Sequence, residues 1–90
     1  MIEVEALKRR CGIASGIKTY DEEIIGYIDD CISEMRASGI PQRLFETENQ
    51  EVSTAVTFYV KANLGNDRTD TDKYMQLYRR KVARLALEED

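Results

Sequence analysis

The side chains able to do chemistry in this sequence are carboxylates and cations with no imidazole among them: Asp and Glu number 17, Lys and Arg 13, and His 0. Without histidine, the commonest general base at neutral pH is missing. Ser15, Ser33, Ser38 and Ser53 sit in no G-x-S-x-G context that would mark a nucleophile. Asp29 and Asp30 are adjacent, so on a helix they point about 100° apart and do not form a proton-sharing dyad. Asp67, Asp70 and Asp72 cluster but lack the spacing and the glycine of a calcium loop, which leaves them turn and capping duty. Cys11 and Cys31 make neither a disulfide framework nor a C-x-x-C pair. A structural zinc would need carboxylates to complete it, so both cysteines read as small apolar residues. Gly12, Gly16, Gly26 and Gly39 do not build a phosphate loop. These residues point to neither an enzyme nor a cofactor.

What remains is a pattern of charge. Glu23, Asp30 and Glu34 follow one another at intervals of seven and four residues, and so do Lys73, Arg80 and Arg84. On helices, each set lines one edge, the first acidic and the second basic. Either edge alone is ordinary solvated surface, where ion pairs contribute little. Together they have the character of the two different, complementary faces that a head-to-tail ring requires on every subunit. They are expected to meet either inside one chain or between neighbours. Lys81 falls within the apolar stripe of the same basic segment. It is expected either to lift its ammonium to water or to pair with a carboxylate of a partner chain. A third charged feature, Lys8-Arg9-Arg10, closes a short first helix. It reads as dipole complementation and solvation, or as a contact for phosphate or an acidic surface.

Helices must position these edges. Four are expected. The first covers about Val4 to Arg10, with Gly12 as the left-handed residue that ends it. The second runs from a capping box at Thr19 and Glu22, with Asp21 as a second candidate cap, to Ser38. Gly39 stops it and Ile40-Pro41 prevents its resumption. Gln42 to Gln50 is a loop with a brief turn at Arg43-Leu44-Phe45, and Thr47 with Gln50 repeats the capping-box spacing. The third helix covers Gln50 to Leu64 and ends at Gly65. Its Val52, Val56, Phe58, Tyr59 and Val60 favour strands, yet Val52, Val56, Tyr59 and Asn63 recur at helical spacing. A lone strand would leave its backbone unpaired, so helix is preferred. The last helix covers Thr71 to Leu87, after candidate caps at Thr69, Asp70 and Thr71. Its stripe is Tyr74, Tyr78, Val82 and Leu85, flanked by Met75, Leu77 and Ala86. In the second helix Ile24, Ile28, Cys31 and Met35 centre a stripe that Ile25, Ile32 and Tyr27 widen to roughly 160°.

The fold class expected is all-α: a small single-domain bundle of about four helices over residues 1–90, the second and last longest. A chain of 90 residues with 42% hydrophobic and 33% charged composition is foldable, but its own core is modest, so partners would help it. The acidic N-terminal stretch is unlike a signal peptide and no apolar run could span a bilayer, so no membrane contact is expected. A net charge of −4 argues against a domain built to grip nucleic acid tightly.

The order of these segments resembles a known family. A short helix precedes a long one opening Tyr20-Asp21-Glu22-Glu23-Ile24-Ile25-Gly26-Tyr27-Ile28-Asp29-Asp30-Cys31-Ile32. A loop leads to Val52-Ser53-Thr54-Ala55-Val56-Thr57-Phe58-Tyr59-Val60-Lys61-Ala62-Asn63-Leu64-Gly65, and Tyr74-Met75-Gln76-Leu77-Tyr78-Arg79-Arg80-Lys81-Val82 closes the chain. Over essentially its whole length it resembles the head–tail connector (head-completion or adaptor) proteins of tailed bacteriophages. The resemblance implies a virion protein made in the bacterial cytoplasm, from a phage or a prophage. It implies a ring, commonly twelve-fold, beneath the portal protein, which continues the DNA channel with at most weak, non-specific DNA contact. Such a ring offers a platform to the next tail or stopper protein and carries no cofactor. The polar Gln42 to Gln50 loop departs from the family pattern. Two other readings compete: a small helical DNA-binding regulator, disfavoured by Asp70 and Asp72 in the first turn of the last helix, and a dimeric interaction module.

Overall fold

A computed structural model describes residues 3–14, 16–46, 49–64 and 70–88. Among these residues five helices follow in order: α1 Val4–Arg10, α2 Asp21–Ala37, α3 Arg43–Glu46, α4 Gln50–Asn63 and α5 Thr71–Leu85. There is no strand among the described residues. The helical spacing of α4 therefore outweighed its β-branched content, because its apolar face has two helices to pack against. The brief turn expected at Arg43-Leu44-Phe45 is a full helical turn, α3.

The glycine stops work as the sequence indicates. Gly12 and Gly39 have φ of 76° and 93°, the left-handed region that a Cβ disfavours. After α1, Ile13 N donates to Lys8 O at 2.8 Å and Gly12 N to Arg9 O at 3.2 Å. After α2, Ile40 N donates to Met35 O at 3.3 Å and Gly39 N to Arg36 O at 3.1 Å. Both are Schellman closures that satisfy the last carbonyls of a helix.

The helix starts differ from expectation. Tyr20, not Thr19, holds the N-cap position of α2, and no side chain caps that end. Asp21, Glu22 and Glu23 in the first turn complement the positive helix end instead. Helix α4 is capped by Asn49, whose Oδ1 accepts from Glu51 N at 3.0 Å and Val52 N at 3.1 Å. Thr47, Gly65, Asp67 and Thr69 lie outside the described residues. At α5, Asp70 holds the cap position without a side-chain hydrogen bond. The Thr71 hydroxyl donates back to Ala62 O at 3.1 Å, tying the start of α5 to the end of α4. The last helix ends at Leu85, one half-turn short of Leu87, with Ala86 as C-cap.

Helix α4 is the shared wall, packing most extensively on α5 and next on α2. Its Ala55, Val56 and Val60 are fully buried with Leu7 of α1, Ile24, Cys31 and Met35 of α2, and Tyr78 and Leu85 of α5. Tyr59 meets Tyr78 edge-on, ring centroids 5.1 Å apart, and Phe58 stacks on Tyr74 at 6.3 Å. Leu44 and Phe45 of α3 complete the core, with the Arg36 guanidinium 5.3 Å above the Phe45 ring. Cys31 is buried as expected, whereas Cys11 is half-buried. The stripe of α2 is narrower than its sequence suggests, because Ile25 is 46% exposed.

Candidate assembly surface

The two charged edges stand on the outer sides of α2 and α5. Glu23, Asp30 and Glu34 are exposed, and so are Lys73, Arg80 and Arg84. Among the described residues no ion pair joins one set to the other. Glu23 is the most constrained of them. The Tyr27 hydroxyl lies 2.9 Å from its Oε1 and 3.0 Å from Asn63 O, so its one proton is divided between two acceptors. On the basic side, Lys73 Nζ stands 5.5 Å from the centre of the Tyr74 ring. Lys81 is half-buried and finds a carboxylate in its own chain, with Nζ 3.8 Å from Glu51 Oε1.

The Lys8-Arg9-Arg10 cluster divides. Lys8 is wholly covered. Its Nζ donates to Ile17 O at 2.6 Å and stands 2.9 Å from Asp21 Oδ1 and 3.6 Å from Glu5 Oε1. The cover is thin, since the Asp21 and Glu5 side chains are 27% and 43% exposed. Hydrogen bonding to Asp21 raises the Lys8 pKa above its usual value, outweighing the burial that would lower it. Lys8 therefore pins the α1–α2 connector to the start of α2, a structural role the sequence did not reveal. Arg9 and Arg10 stay exposed, and Arg10 Nη1 reaches the Thr57 hydroxyl at 3.4 Å.

Two titratable groups lie in the core and serve no exposed surface. Burial pushes the Cys31 thiol up to about 12. Tyr78 is 1% exposed, and burial, with the neighbouring Cys31 thiol next, raises its pKa. Neither is poised to act as a nucleophile or base at neutral pH.

What this geometry presents outward is charge on helix edges rather than a reactive cleft. A family model described as phage connector protein matches residues 4–90. The chain belongs to the phage connector protein family. No curated protein and no solved structure matches it. The role of a phage connector is structural, not enzymatic, and it belongs to the virion, in assembly with other head and tail proteins. The all-helical bundle expected of a connector is the fold observed. Among the described residues, no helix is long and apolar enough to cross a membrane.

Proposed function

We propose that this connector forms a head-to-tail ring between the portal and the tail or stopper protein, around the DNA channel. In this ring the acidic edge of α2 on one subunit faces the basic edge of α5 on the next. Glu23, Asp30 and Glu34 oppose Lys73, Arg80 and Arg84, with Lys81 at the margin of the basic face. The carrying observation is that both edges are exposed and share one spacing, while among the described residues no ion pair joins them. Charged residues matched in this way set register and orientation more than affinity. A net charge of −4 keeps DNA contact in the channel weak and sliding. The ring is commonly twelve-fold in proteins that this chain resembles.

The test is a charge swap. Arg80→Glu with Arg84→Glu should abolish or greatly weaken assembly, read as mass in solution with and without portal. Adding Asp30→Arg and Glu34→Arg should restore it. Assembly indifferent to the first pair of changes would overturn this reading.

A further inference from the structure

An open groove of about 320 Å³ runs along the outer side of α4, lined by Arg10, Gln50, Thr54, Thr57, Phe58 and Lys61. Phe58 supplies its apolar part, stacked on Tyr74, while Arg10 and Lys61 supply positive charge. Among the described residues neither cation has a carboxylate within 4 Å: Arg10 meets the Thr57 hydroxyl, and Lys61 Nζ sits 5.4 Å from the Tyr74 ring centre. The groove thus presents an apolar contact beside two cations without acidic partners.

The same chain carries the matching chemistry at the far end of α5. Leu87 is 82% exposed, the most exposed large hydrophobic side chain among the described residues. It is followed by Glu88, Glu89 and Asp90. Glu88 is tied only at 3.6 Å to Arg43, with both side chains half-exposed, a pairing of small value. The lengths also agree. From Gln50 to Lys61, α4 rises about 16 Å at 1.5 Å per residue, and four extended residues span about 13 Å.

We infer that the segment Leu87 to Asp90 of one subunit seats in the Arg10–Phe58–Lys61 groove of a second copy, Leu87 on Phe58 and the carboxylates on Arg10 and Lys61. This rests on the head-to-tail reading above and adds to it a second contact, separate from the α2 and α5 edges. Donor and acceptor are different surfaces of one molecule, so the contact propagates around a closing ring.

Two variants of the full chain test it. One carries Glu88→Lys, Glu89→Lys and Asp90→Lys; the other carries Arg10→Glu and Lys61→Glu. Each alone should associate at least tenfold more weakly than the parent, and an equal mixture should recover, because each segment then meets a groove of opposite charge. A mixture no better than its components overturns the inference. A labelled peptide of residues 84–90 gives a reading independent of any ring. Added to the full chain carrying the triple lysine change, it should shift amide resonances of Thr54, Phe58 and Lys61 saturably, and Leu87→Ser in the peptide should remove the effect. No shift in those resonances also overturns the inference. If the peptide binds while Arg80 and Arg84 prove dispensable, the edge contact fails and the groove contact stands.

Discussion

Charge is used in two opposite ways in this connector. At the corner between α1 and α2, the Lys8 ammonium is covered and held by Asp21, Glu5 and the Ile17 carbonyl. Along the outer edges of α2 and α5, three carboxylates and three cations are exposed, and among the described residues no ion pair joins one set to the other. A covered charge must be matched at once by its own chain, because desolvation without a partner is costly. An exposed one can remain unmatched at little cost and keep its attraction for a second molecule. The corner is thus expected to affect stability and the edges association.

The sharpest way to break that contrast is at the corner. Leu7, fully buried beside Lys8, anchors α1 in the core. Leu7→Ala should cost about 3 kcal/mol, a fall in Tm of roughly 15 °C for a domain of this size. Lys8→Ala should lower Tm by less but still clearly, because it strands Asp21 and the Ile17 carbonyl. Thermal melts followed by circular dichroism check both. An unchanged melt for Lys8→Ala would mean that the covered cation does not hold the corner.

Alkaline pH comes next. Cys31 ordinarily ionises near 9.0 but is pushed up to about 12 in the fold. Above pH 9 the unfolded chain therefore loses this proton while the folded chain keeps it, and stability falls. Tyr78 adds the same trend above its ordinary 10.0. Lys8, raised above 10.5, contributes stability that is complete below that value and lost as pH rises through its folded pKa. Tm should decline from about pH 9 upward. Replacing Cys11 and Cys31 by Ala should move the onset to about pH 10. An onset unmoved by that change would remove the thiols from the account.

The smallest effect on stability belongs to the edges. Arg80→Glu with Arg84→Glu should move Tm by no more than about 5 °C, since surface changes stay within about 0.5 kcal/mol each. The same variant is the one expected to lose assembly. A large drop in Tm would show that these arginines serve their own fold and would erase the contrast.

Much of this was legible in the sequence. The ends of α1 and α2 follow from Gly12 and Gly39, because few other residues adopt their φ without strain. The faces of α2 and α5 follow from apolar spacing, and the charged residues along the edges of those helices are exposed. The capping-box spacing of Thr47 and Gln50 competes with Asn49, which stands directly before Gln50-Glu51-Val52, ranks among the best capping residues and is the cap observed. The burial of Lys8 was not legible. It depends on Asp21, thirteen positions away, and on the path that Gly12 to Tyr20 takes back toward α1. Locally Lys8 groups with Arg9 and Arg10, because its partner nearby in sequence, Glu5 a helical turn back, would pair with an exposed lysine equally well. The exposure of Ile25 is illegible for a related reason: apolar type alone does not tell which flank of a wide stripe a neighbouring helix reaches.

Helix α4 packs against both α2 and α5. Its packing therefore bears on the angle at which the acidic edge of α2 and the basic edge of α5 diverge in one subunit. In the ring proposed above, that wedge, repeated, would have to total a full turn, so the alanines and valines along α4 would have a say in how many subunits complete it. Enlarging Ala55 or Ala62 would open the wedge and favour a circle of different membership, leaving every charge in place.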